Sequence, residues 1–273
     1  MNLHSVQAIF ALMPISGVAL GACAVIYFTS AVLSGLSGFG FSALGALSMW
    51  FMPPQIAVSM LMSVSLITQI YSLTSTLMAK PAIAGKHLSP AMIARQMRPY
   101  ILGGTVGLYV GIQLLVMFSA NIVCLILGVF LISYTTYCLK RPSSLQITAG
   151  SSPQWCSAIG FFSTMIGAFC GGPGIVLMAW LQLRAVPKDL ARGLAQPFII
   201  CMQIIGLAIF ILRSPAVFTD GFFVCITILL PIALLGSEIG VKIYARTSEF
   251  NYRQIVMFLL LGSGFALTIK AVM

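Results

Sequence analysis

Hydrophobic positions dominate this chain, and its organisation shows in what interrupts them. Six runs are plain and apolar, at about 55–78, 98–118, 121–139, 191–212, 218–241 and 251–271. Each is near the roughly 20 residues that cross a bilayer as a helix. Two more stretches, at about 14–52 and 155–183, are as apolar but broken, by "SGFGF" (37–41) and by "CGGPG" (170–174) within "GAFCGGPG". Glycine and proline cost a helix interior roughly 1 and 3 kcal/mol against alanine, so neither stretch reads as one continuous helix. The pattern predicts an all-α polytopic membrane protein with eight membrane-embedded segments.

The broken stretches expose an internal duplication. A shift of 133 residues places Gly38 on Gly171, Leu44 on Leu177, Pro54 on Pro187, Lys80 on Arg213, Gly103 on Gly236 and Gly107 on Gly240; a shift of 132 places Pro99 on Pro231. Each half is then one broken stretch followed by three helices. The first repeat covers 1–139 and the second 155–273, joined by a cytoplasmic linker at 140–154.

Loop charge sets the expected orientation. With each broken stretch crossing once, basic loops 80–98 and 140–141 face one side, and 184–192 and 242–253 the other. With each returning to its side of entry, all four share one side, with net charges of +4 (Lys80, Lys86, Arg95, Arg98), +2 (Lys140, Arg141), +2 (Arg184, Lys188, Asp189, Arg192) and +2 (Lys242, Arg246, Glu249, Arg253). The opposite side keeps Arg213 against Asp220, plus Lys270. The second arrangement obeys the positive-inside rule. It predicts two inverted repeats, each a re-entrant hairpin plus three spans, with both termini outside the cytoplasm. The longer first stretch also has room for a full span plus a half-helix, with the same parity.

Composition agrees: the 273 residues are 60% hydrophobic and 7% charged, far below the roughly 25% charge of soluble domains. The net charge of +10 sits in short loops without an aromatic-basic stripe, which argues for membrane topology and against a nucleic-acid partner. Seven dispersed cysteines, Cys170 at a break among them, show no metal or redox spacing, and His4 and His87 are isolated. No metal or cofactor is expected. "GACA" (21–24) lacks a basic segment before it and reads as part of the fold, not as a processing site. Four acids and two distant histidines offer no catalytic constellation, so an enzyme ranks last.

Chemistry is expected at the breaks. Irregular backbone survives at membrane depth only where protein buries it or where it lines a watery cavity. A half-helix that starts after a break aims free N–H groups and a positive dipole end at that spot. The binding candidates are Gly38, Phe39, Gly40 and Ser42 at the first break and Gly171, Gly172, Pro173 and Gly174 at the second. Gln69, Gln196 and Gln203 lie inside spanning runs, where an amide either donates to an oxyanion or bonds helix to helix. Ser37 and Ser63 add hydroxyls with the same two readings. Arg192 is an anion attractor or an ordinary loop charge. Glu238 either couples transport to protons or simply pairs with Lys242 one turn on. Gly103, Gly107 and Gly111, echoed by Gly236 and Gly240, read as close helix packing.

"SGFGFSALGALSMWFMPPQIAVSMLMSV" (37–64), "GAFCGGPGIVLMAWLQLRAVPKDLARG" (167–193) and "LLGSEIGVKIYARTSEFNYRQIVMFLLLGSG" (234–264) resemble the sulfite exporter TauE/SafE family across about 17–270. One departure is Gly174, where many members carry a second proline. The resemblance implies a bacterial inner-membrane transporter of small sulfur-containing anions, such as sulfite and organosulfonates, with Arg192 matching the family arginine. The expected mechanism is alternating access by movement of one half against the other, with substrate at the paired breaks. A passive anion channel of the same architecture is the alternative.

Overall fold

Serine and glycine punctuate the first described helix. Ser16 caps its start, accepting from the Ala19 N–H at 3.3 Å, and α1 runs Gly17–Ser37. It stops at Gly38, whose φ of 79° is open to glycine and strained for other residues, and whose N–H returns to the Ser34 carbonyl at 2.6 Å. The computed structural model describes residues 16–79, 90–140, 152–184, 186, 188–246 and 249–272. The basic loop residues Lys80 and Lys86, both histidines, Arg141 and most of the expected 140–154 linker lie outside the described residues.

Beyond Gly38 come α2 (Phe41–Gly45), a 3-10 turn (Ala46–Trp50), α3 (Pro54–Ala79), α4 (Pro90–Met117) and α5 (Ala120–Lys140). The second half repeats this order with α6 (Pro153–Gly167), α7 (Ile175–Leu183), α8 (Lys188–Arg213), α9 (Asp220–Arg246) and α10 (Glu249–Val272). Among the described residues no strand occurs. Five helices there are long and apolar enough to cross a membrane: α1, α3, α4, α8 and α9. The run within α5 is shorter, Asn121–Tyr137. With α1 of span length, the first broken stretch is a full-length helix and a short return, the longer of its two expected forms.

Both broken stretches turn the chain back on itself. Beside the first break, Gly40 lies against Leu33 and Gly45 against Leu61 and Ser30. Beside the second, Gly167 meets Gly172 and Pro173, and Ser163 reaches both Pro173 and Leu177. Each is a helix-turn-helix whose second leg runs antiparallel to the first.

The helices between the hairpins pair reciprocally across the two halves. On α4, Gly103, Gly107 and Gly111 lie on the backbone oxygens of Ser157, Phe161 and Met165 of α6, leaving no room for a methyl group. On α9, Gly236 and Gly240 lie likewise on Phe28 and Val32 of α1, with Gly35 opposite Ser237. Residue numbers rise together in both pairs, so both run parallel. Glycine lets these backbones touch, as its four-residue spacing predicts. The helices α3 and α8 run antiparallel: Ser72 sits by Arg192, Gln69 by Gln196, Ser65 by Gln203 and Met62 by Gly206. The pair α5 and α10 also runs antiparallel, with Gly128 at Thr268 and Ile132 at Gly264.

Candidate functional site

At each break a left-handed glycine meets a glutamine. The Gln69 Nε2 of α3 donates to the Gly38 carbonyl at 3.0 Å and to Ser34 Oγ at 3.2 Å. The Gln203 Nε2 of α8 donates to the Gly171 carbonyl at 3.3 Å and to Ser65 Oγ at 2.9 Å. A left-handed residue turns its carbonyl out of the helical ladder, and inside a membrane that acceptor needs a donor. The glutamines supply it, so their N–H groups serve the breaks themselves. This sharpens the sequence reading, in which the same amides were candidate donors to an oxyanion.

The first break is joined to a buried cation. Arg192, in the first turns of α8, is only 4% exposed, and its aliphatic stem lies against Gly38. Its Nη2 donates to Ser72 Oγ at 2.6 Å and its Nε to Gln196 Oε1 at 3.3 Å. The guanidinium carbon stands 4.6 Å from the centre of the Tyr244 ring, a cation–π distance. Gln196 passes the connection on, donating from Nε2 to Gln69 Oε1 at 3.1 Å and to Ser72 Oγ at 3.4 Å. One chain of bonds therefore runs from Arg192 through Gln196 and Gln69 to the Gly38 carbonyl. Arg192 is part of the break and not a loop charge.

Half-helix ends contribute less than the sequence suggests. After the first break α2 spans five residues and gives way to a 3-10 turn, too short to build a useful dipole. The Phe39 and Gly40 N–H groups there donate to Ser37 Oγ at 3.3 and 2.8 Å. After the second break, the Leu177 N–H of α7 donates to Ser163 Oγ at 3.0 Å, while that hydroxyl donates to the Pro173 carbonyl at 2.6 Å. The Gly172 N–H returns to the Gly167 carbonyl at 2.9 Å. Much of the freed backbone is thus satisfied inside each hairpin. Ser63 donates to the Ser59 carbonyl of its own helix.

The two breaks touch. Ser42 lies so close to Gly172 that a side chain there would collide with it. Gly171, with a φ of 68°, is enclosed by Leu61 and by the backbone of Val58 and Met62 in α3. A Cβ at Gly174 would strike Ile199 of α8, which gives a physical reason for glycine where a second proline is common. Cys170 is buried, its thiol 3.6 Å from the Gly167 carbonyl.

Glu238 stays apart from this cluster. It pairs with Lys242 at 2.6 Å on the outside of α9, with the two side chains 44% and 71% exposed. Among the described residues no group of three potential metal ligands occurs. Sequence reasoning missed Ser34, Ser65, Ser72 and Tyr244, because single polar residues in apolar helices carry no pattern. Only their direct contact with a glutamine or arginine on a partner helix gives them meaning. Compared with protein-family models, residues 22–267 match the one described as sulfite exporter TauE/SafE. Neither curated proteins nor solved structures give a match.

Proposed function

The chain belongs to the sulfite exporter TauE/SafE family, a family of membrane transporters, and on that premise we propose that it carries a small anion, sulfite or an organosulfonate, by alternating access. It is an integral, multi-pass membrane protein; the bacterial inner membrane is the membrane we propose. The observation that carries the reading is a guanidinium buried beside a left-handed glycine at a helix break, Arg192 at Gly38. Arginine is the side chain suited to oxyanion recognition because its fork of N–H groups matches two oxygens at once. Substrate arriving there takes over bonds that Ser72 and Gln196 now hold.

Two inverted repeats, 1–139 and 155–273, remain our reading of the architecture, with the 140–154 linker in the cytoplasm. Its support is the pattern of helix directions. An in-plane two-fold axis requires that a helix and its own counterpart run antiparallel, as α3 runs to α8 and α5 to α10. It requires that the pair α1–α9 map onto α6–α4 with the same relative direction, and both are parallel. The glycine-packed pairs also redefine the moving bodies. Since α1 is locked to α9 and α4 to α6, access alternates by rocking α1–α2–α9 against α6–α7–α4. Movement of one sequence half against the other would tear both pairs apart.

Flux of sulfite, sulfate and several sulfonates into proteoliposomes, with and without a pH gradient, tests the transport reading. Uptake of one sulfur oxyanion above protein-free vesicles is expected, and no flux of any small anion would sink it. Ohmic current without saturation would assign the protein to the channel class. Topology is read from cysteines introduced at the exposed positions Ser119 and Ala216; reagent added outside cells should label both, and labelling confined to the cytoplasmic face overturns the inverted arrangement.

A further inference from the structure

Arg192 is also held from a side that the break itself does not supply. It lies four residues after Lys188, which starts α8, and Tyr244 lies two residues before Arg246, which ends α9. Their cation–π contact therefore joins α8 to α9 at one end of the bundle, the end we place in the cytoplasm. At the other end the same two helices are joined by the short connection 214–219. Between these points each packs chiefly elsewhere, α8 on α3 and α4, and α9 on α1 and α3. Both members of the contact are buried, where attraction of a cation to a ring face is strongest. The second break lacks the pair. Counting 133 residues back from Arg192 and Tyr244 gives Ser59 and Gly111, a hydroxyl and no side chain, and Gly111 lies on Met165 and Ala168 of the α6 hairpin.

We propose that Tyr244 is a positioning residue for the anion site: its ring holds Arg192 while the site is empty, keeps the mouth between α8 and α9 shut, and yields the guanidinium to an arriving anion. An oxyanion on the guanidinium neutralises the charge that attracts the ring, so ring and substrate compete for one cation. Helix α9 is locked to α1 through Gly236 and Gly240, so release of Tyr244 frees that pair from α8. Gly38, just past the end of α1, touches the stem of the same arginine. Both neighbours thus belong to the body that rocks, and occupancy of the site becomes freedom of that body to move. The competition rests on the transport reading; the shut mouth of the empty protein does not.

The shut mouth is read without any substrate. In the full chain with its native cysteines replaced, Ser72→Cys puts a thiol where the guanidinium now bonds, and a hydrophilic thiol reagent is added to the protein in lipid nanodiscs, which leave both faces open. Slow labelling is expected with Tyr244 and with Tyr244→Phe, and labelling about tenfold faster with Tyr244→Leu. Mono-, di- and trifluorinated phenylalanine at position 244 keep the shape of the ring while withdrawing electrons from its face, so the rate should climb with each fluorine. A ring that only filled space would give one rate throughout. Equal rates for Tyr244→Leu and wild type, or rates indifferent to fluorination, overturn the proposal. With Ser72 intact, Tyr244→Leu should lower the Km for sulfite flux into proteoliposomes about three- to tenfold, and Tyr244→Phe should leave it near wild type. An unchanged or raised Km in Tyr244→Leu overturns the competition. Ring-dependent labelling in a protein that moves no small anion overturns the transport reading alone.

Discussion

The two breaks are built on one plan and furnished with different side chains. Each has a left-handed glycine, a glutamine donating to that glycine's carbonyl, and a returning second leg. Only the first has a cation, Arg192, held in a chain of side-chain bonds. Only the second has a glycine-proline turn and a nine-residue return helix. The backbone frame occurs twice, and the side chains projecting into each copy differ. Backbone geometry is thus the shared scaffold, and polarity is where the two sites part.

The comparison can be broken most severely at Arg192. Arg192→Gln keeps the bulk and much of the hydrogen bonding but removes the charge. A charged hydrogen bond contributes about 1.5–3 kcal/mol, so anion affinity in a flux or binding assay should fall roughly 10- to 100-fold. The reverse change at the second break, Ser59→Arg, should not create a second anion site. An unchanged Km for Arg192→Gln would remove the distinction between the breaks.

Next in size is the contact between them. Gly172→Ala drives a methyl into Ser42, and overpacking of this kind costs about 1–3 kcal/mol. A lowered unfolding midpoint is expected, with at least partial rescue when Ser42→Gly is added. Failure of the double variant to recover would mean that the breaks do not meet through these two residues. The glutamines come third. Gln69→Leu and Gln203→Leu each leave a glycine carbonyl without its donor, at about 1–2 kcal/mol in thermal or denaturant unfolding. Gln69→Leu should in addition impair anion binding, since it cuts the chain leading to Arg192, whereas Gln203→Leu should spare it. Equal transport defects would erase the division of labour. The smallest effect belongs to Glu238→Gln, a change in an exposed pair, with no measurable shift of the unfolding midpoint and no change in flux under a pH gradient. Loss of proton-driven flux there would restore Glu238 as a coupling group.

How far all this could be read beforehand depends on the kind of interaction. "CGGPG" was legible because glycine and proline disturb a helix through the backbone, whatever surrounds them. The stripe of Gly103, Gly107 and Gly111 was legible as packing, since its period places all three on one face; its partner, α6, was not, because a face does not name what it touches. Arg192 could be read either as an anion attractor or as a loop charge, because its neighbours in sequence are charged and its neighbours in space, Gly38 and Tyr244, are remote. Ser65 and Ser72 were silent for the same reason. The return leg α2 was expected to be a half-helix, yet the chain turns to a 3-10 conformation after Gly45, and the small residues from Ser42 to Ser48 give no strong helical preference to resist it.

The parallel pairing of α1 with α9 has a consequence for biosynthesis. Helix α1 ends at Ser37 and its partner is complete only at Arg246, 209 residues later. At roughly 5–20 residues per second, the glycine-smooth flank of α1 waits about ten to forty seconds for the surface it fits. During that interval Gly35 and the carbonyls of Phe28 and Val32 face lipid, the insertion machinery or a neighbouring nascent chain. Packing of α1 therefore waits for α9, and a chain truncated before α9 would leave α1 without its partner.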